Sequence, residues 1–196
     1  MALTPEELVR FAKACGIHEA LVLFAGLTGL RWAEIIGLRV SDIDLNSGRV
    51  VVEKSISEVD GYFHEKSTKS GQSRVVAIPR YLNPYLEKQI QNKEQTEYLF
   101  SNGLGKPMSL SNFTQRVFQP AIKIAGIPPI TPHDLRHTAA SNAIRLGGNI
   151  LNVKHMLGHK DTRVTLNTYG HLFDEDQNLL AASINTKFSE LANKRN

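Results

Sequence analysis

His133 and Arg136 stand three residues apart behind a helix start in which Thr131 precedes Pro132 and Asp134 follows. That spacing puts both side chains on one helix face. Free N–H groups and the helix dipole favour anions there, so the pair reads as a clamp for a phosphate or carboxylate. A solvated polar first turn has the same appearance. Arg31 and Glu34 repeat the spacing just after Thr28-Gly29. A buried Arg must be paired, and Glu34 can do that; a local pair on a surface turn is the plainer reading. His133 and His137 stand four apart, as do His155 and His159, a spacing that can hold zinc. Neither pair carries the glutamate of H-E-x-x-H, the lone Cys15 is far off and no acidic cluster follows, so no metal and no cofactor is expected. Tyr169 follows Leu157-Gly158-His159 by a Thr-rich stretch, and nothing local activates it. Lys69 lies before Ser70-Gly71, where an ordinary exposed turn lysine would also sit.

The chain that must position these groups has 196 residues, 41% of them hydrophobic and 21% charged. That is the balance of a globular protein with a real core, which excludes disorder as the main state. The longest apolar stretch, residues 20–27, is too short to span a membrane. No basic flank and apolar run opens the chain, so no secretory signal is read. The single cysteine rules out an internal disulfide framework and suits a reducing, cytoplasmic setting. A net charge of +4 and a pI of 9.2 permit a polyanionic partner without requiring one.

The patterning predicts a mainly α protein with a small antiparallel three-stranded β-sheet, an α+β fold in one domain. Thr4, Pro5 and Glu7 open a first helix that carries Leu8, Phe11, Ala12 and Cys15 and stops at Gly16. Residues 18–27 read as a buried helix and 32–38 as a short one. Strands are expected over 49–54, 62–66 and 74–78, with a hairpin turn at Asp60-Gly61. Helices resume at Asn83-Pro84, and one over 111–125 should be interrupted at Pro120. Thr131 opens the helix of His133 and Arg136, with Leu135, Ala139, Ala143 and Leu146 on one face. Asn149 opens another that closes at Gly158. A short helix over 162–169 precedes a last one from Asp174, striped by Leu180, Ile184, Phe188 and Leu191.

Taken singly, these groups are weak signals; their order along the chain is not. Thr28-Gly29-Leu30-Arg31-x-x-Glu34, then Lys69 before a third strand, then His133-x-x-Arg136-His137, then Leu157-Gly158-His159, then Tyr169 resembles the catalytic domain of the tyrosine recombinases, the phage-integrase family. The resemblance covers nearly the whole chain, including the helix–sheet–helix order.

It implies the following roles. Tyr169 would attack a DNA phosphodiester, giving a 3′-phosphotyrosyl link and a free 5′-hydroxyl. Arg31 and Arg136 would hold the non-bridging oxygens, and His159 would hydrogen-bond the phosphate. Lys69 would protonate the leaving 5′-oxygen. His133 would assist proton transfer at the tyrosine, Glu34 would orient the first Arg, and His137 would support. The partners implied are double-stranded DNA, further copies in a tetramer on DNA, and accessory DNA-bending or directionality proteins, with no membrane and no ATP.

Relatives usually carry a helical core-binding domain before the catalytic one. Here the chain starts about where the catalytic domain should, as an excised fragment or a minimal relative would. Residues 1–196 are then a single catalytic domain, with 173–196 a helix and tail able to dock on a neighbouring protomer or to fold back. Three other readings remain: a DNA-binding relative without activity, a type IB topoisomerase-like strand transferase, and a zinc-dependent hydrolase using the His pairs.

Overall fold

Thr4 starts the first helix, α1 (Pro5–Ala14), through a reciprocal pair of hydrogen bonds. The Glu7 amide donates to Thr4 Oγ1 at 3.2 Å and the Thr4 amide to Glu7 Oε2 at 2.9 Å. The computed structural model describes residues 1–67 and 73–193, without the side chains of 67, 174–180, 183 and 190–193. Lys69 therefore lies outside the described residues, as do the side chains of Leu180 and Leu191. α1 buries Leu8, Phe11 and Ala12 against α2 (Glu19–Thr28), which is apolar nearly all round and lies in the core. Gly29 ends α2 in the left-handed region at φ +65°. A single-turn helix, α3 (Trp32–Ile35), follows at once.

The β region differs from the three strands expected. Among the described residues, five strands form two sheets. β1 (Ile43–Asp44), β2 (Arg49–Val52) and β5 (Arg74–Ala77) make an antiparallel sheet in the order β1-β2-β5. β3 (Lys54–Val59) and β4 (Tyr62–Ser67) make a separate hairpin. The stretch read as one strand over 49–54 splits at Glu53. Val50, Val52 and Ile56 are buried, but Lys54 falls on the same phase. A buried ammonium is costly, and the chain keeps it exposed in an ion pair with Glu65 at 3.1 Å. The Asp60-Gly61 turn is as expected, with φ of +50° and +79°.

α4 (Asn83–Ile90) packs on α2. The helix expected over 111–125 is α5 (Leu110–Phe113), a π turn (Thr114–Phe118) and α6 (Gln119–Ala125). The wide turn precedes Pro120, which lacks the N–H of a regular ladder and crowds the preceding turn. α7 (Pro132–Arg145) lies against α2 and begins at Thr131, whose amide donates to Asp134 Oδ2 at 2.8 Å. The chain's first residues cross α7: the Leu3 amide donates to Thr138 Oγ1 at 3.0 Å, and Asn142 Nδ2 donates to the Leu3 carbonyl at 3.2 Å.

Asn149 caps α8 (Ile150–Leu157), which closes at Gly158. The last two predicted helices are one, α9 (Thr162–Asn193). No proline interrupts it, and a glycine such as Gly170 costs a helix only about 1 kcal/mol relative to alanine. α9 packs on α7 and α8. There Tyr169 and Leu172 join Ala140, Ile144, Val153 and Leu157 in a small cluster beside the main core. Further along α9, Ile184 and Phe188 are 51% and 67% exposed, so this part of the stripe does not fold back on the body. Among the described residues, no helix is long and apolar enough to cross a membrane.

Candidate active site

Two guanidiniums converge on one carboxylate where α2 ends, and a third lies close by. Arg31 precedes α3, and Glu34 lies one turn later, 3% exposed. Glu34 Oε1 accepts from Arg31 Nη1 at 3.1 Å, and Oε2 accepts from the Arg31 amide at 2.8 Å. Arg74, the first residue of β5, grips the same carboxylate with a bidentate fork: Nη1 to Oε1 at 2.9 Å and Nη2 to Oε2 at 2.7 Å. Burial alone would raise the Glu34 pKa. The hydrogen bond and charge of Arg74, then those of Arg31, outweigh it and hold the group below its ordinary value.

Arg136 is 5% exposed on α7. Nη1 donates to the Gly29 carbonyl and Nη2 to the Leu157 carbonyl, each at 2.7 Å. The guanidinium thus ties the end of α2 to the end of α8. Gly29 is required at that junction. Besides its left-handed φ, a Cβ there would sit 2.9 Å from Leu157 Cδ2 and 3.3 Å from the Ala139 Cβ. Burial, then the charge of Arg31, lowers the Arg136 pKa to about 10, so it stays protonated at neutral pH. With Arg31, Arg74 and Arg136 against Glu34, the cluster carries a surplus of two positive charges. That is the field a phosphoryl group needs.

His159 follows α8, its Nδ1 2.9 Å from Oγ1 of the fully buried Thr165. Burial, then the charges of Arg136, Arg31 and Arg74, pushes its pKa down to about 4. The ring is therefore neutral at pH 7. His159 and Arg74 line an open cleft of about 460 Å³ with Lys154, His155 and Lys160, and every titratable group in that lining is basic.

Tyr169 is 4% exposed, with its hydroxyl 2.7 Å from His137 Nδ1. Burial raises its pKa; the nearby Arg136 charge pulls the other way and loses. Burial, then the neighbouring His133, lowers the His137 pKa, which favours the neutral ring. His133 is exposed and meets His137 edge to face, ring centroids 4.8 Å apart. So His137, rather than His133, touches the tyrosine. Tyr169 and His137 line an opening of about 380 Å³ that does not include His159 or Arg74.

The structure thus brings Arg31, Glu34, Arg136 and His159 into one electrostatic cluster, with Tyr169 beside Arg136 but turned to His137. Lys69 falls outside the described residues. Sequence reasoning missed Arg74 and Thr165, whose local contexts look like a strand start and a helix interior. Their partners Glu34 and His159 become visible only in three dimensions. Among the described residues, no three His, Cys, Asp or Glu side chains gather as metal ligands.

A model of the phage integrase family matches residues 2–176. The chain belongs to the phage integrase family. Its relatives include the ICEBs1 integrase of Bacillus subtilis, 32% identical over 90% of this chain and 52% of that protein. The Tn1549 transposon integrase, solved in complex with a circular intermediate DNA, shares the fold. Its TM-score is 0.76 at 22% identity, covering 85% of this chain and 60% of that one. The catalytic domain of bacteriophage HP1 integrase matches end to end, with a TM-score of 0.65, 24% identity and 94% of each chain covered. The mainly helical fold with small antiparallel sheets is therefore that of an integrase catalytic domain. The chain spans about half the length of the curated relatives it matches.

Proposed function

We propose that this chain is the catalytic domain of a site-specific DNA recombinase that cuts and rejoins duplex DNA through Tyr169. The observation that carries this is the gathering of Arg31, Arg136 and His159 in one positively charged cluster, with the buried Tyr169 in the field of Arg136. The Tyr169 oxygen attacks phosphorus as the bond to the 5′-oxygen breaks. The tyrosine proton leaves to a histidine, His137 as it lies here or His133 beside it. Lys69 supplies a proton to the departing 5′-oxygen. Arg31 and Arg136 neutralise the equatorial oxygens, and His159 hydrogen-bonds the phosphate. The covalent link conserves the ester bond energy, so rejoining needs no ATP. Glu34 orients Arg31 and does not react.

The position of Tyr169 is a resting one. A phenol at 4% exposure, bonded to His137, reaches a phosphate in the arginine cluster only after leaving that bond. DNA binding supplies the driving force, since the surplus positive charge is then met by phosphate. The basic cleft beside His159 fits a backbone phosphate, and the relative solved on circular intermediate DNA supports duplex DNA as the substrate. The exposed Ile184 and Phe188 fit docking of α9 on a neighbouring protomer in a tetramer on DNA. Accessory DNA-bending or directionality proteins belong to the same reading, as does action in the cytoplasm, where the DNA lies. Residues 1–196 form one catalytic domain in this reading.

The test is covalent capture of a nicked duplex that cannot religate. The unaltered chain should form a protein–DNA adduct that Tyr169→Phe does not form. Binding without capture by the unaltered chain would favour a DNA-binding relative without activity.

A further inference from the structure

We propose that Arg74 is a positioning residue of the cleavage reaction. By gripping Glu34 and packing on Gly158 it fixes where the Arg31 guanidinium and the His159 ring sit. The proposal rests on the functional reading above and adds to it a residue outside the five motifs that identify the family resemblance.

The geometry has three parts. First, Arg74 uses both Nη atoms on Glu34, at 2.9 and 2.7 Å, while the 3.1 Å bond leaves Arg31 the looser partner. The side chain of Arg74 is 15% exposed and that of Arg31 36% exposed. The buried arginine therefore anchors the carboxylate, and the carboxylate positions the exposed arginine. Each oxygen of Glu34 accepts two bonds, so its lone-pair sites are filled and it cannot turn without breaking the set.

Second, the guanidinium lies flat against the end of α8. A Cβ on Gly158 would fall 2.7 Å from Arg74 Cζ, 2.8 Å from Nε and 2.9 Å from Nη1. Only glycine allows that approach, and its φ of +64° suits the helix end as well. The next residue is His159, so Arg74 sets the height of the chain that carries the ring. Third, Arg74 Nε is buried and meets no hydrogen-bond partner among the described residues, so the two Nη bonds to Glu34 are what hold the guanidinium.

A lysine at position 74 keeps the charge and loses the fork. The test uses a nicked suicide duplex selected from a randomised pool by covalent capture on the unaltered chain, read as single-turnover adduct formation. With DNA saturating, Arg74→Lys should slow adduct formation at least tenfold. In an Arg31→Ala, His159→Ala background the same substitution should cost less than threefold, because both groups it positions are gone. A purely structural role would instead lower both backgrounds by the same factor, along with the folded fraction seen by circular dichroism. Equal losses, or no loss in the unaltered background, overturn the proposal. Should R74K not fold, Glu34→Gln, which keeps the shape of the carboxylate, enters the same cycle with the same expectation. Failure of the unaltered chain to capture any duplex would instead sink the functional reading, and the positioning role with it.

Discussion

The arginine cluster and the tyrosine corner solve opposite problems. At the cluster, every guanidinium has an assigned partner: Arg31 and Arg74 share Glu34, and Arg136 spans the carbonyls of Gly29 and Leu157. The result is a fixed field with surplus positive charge and no freedom to relax. At the corner, a neutral phenol rests on a neutral imidazole by one hydrogen bond of 2.7 Å, on a helix whose far half exposes Ile184 and Phe188. Preorganisation is worth most where charge develops, because donors that are already oriented cost nothing at the moment of reaction. The proposed nucleophile would gain from the reverse, since a tyrosine held by His137 would make no stray breaks until DNA drew it away.

The contrast can be broken at its stiff end first. Arg136→Ala removes both backbone ties and one phosphate donor, and should slow covalent capture by about 10²–10³-fold, the effect of losing one oriented transition-state donor. Single-turnover adduct formation measures it; near-normal capture would end the clamp assignment. Glu34→Ala leaves the buried Arg74 guanidinium and its neighbour without their carboxylate. It should cost about 3 kcal/mol of stability in urea unfolding, as breaking a buried pair on one side does.

At the soft end the effects are smaller. Tyr169→Phe keeps the ring packing and deletes one hydrogen bond, so it should lower stability by only about 1 kcal/mol. A much larger loss would mean that the tyrosine is a structural keystone and not a stowed nucleophile. The last effect, back at the cluster, concerns pH. The folded chain holds His159 near 4 against an ordinary 6.5. Between those values the unfolded chain takes up a proton that the folded chain refuses, so stability falls as pH drops from 6.5 to 4. In His159→Asn that fall should be shallower, which melting curves across the window would show; an unchanged slope would place the imidazole in open solvent.

What was legible in the sequence divides along the same line. The caps of α1 and α7, the buried α2 and the Asp60-Gly61 turn are local events, written in neighbouring residues and found as read. The family order of Arg31, Glu34, His133, Arg136, His159 and Tyr169 was legible too, and the fold gathers most of that set. The β region was less so, because Lys54 breaks the alternation and a two-residue strand at Ile43–Asp44 has no period to detect. Arg74 was invisible. Its role depends on Glu34, forty residues away, and on a bare backbone at Gly158, and neither is encoded near it. The exchange between His133 and His137 is of the same kind: spacing places both on the right turn, and only the position of α9 decides which one meets the tyrosine.

In the proposed reaction the stowed tyrosine is the group that becomes bonded to DNA. The direct measurement is mass spectrometry of the chain after reaction with the selected nicked duplex, followed by proteolysis and nuclease trimming. The expected result is a single modified peptide bearing a 3′-linked nucleotide on Tyr169. An adduct on any other residue, or bound DNA with no adduct at all, would contradict it.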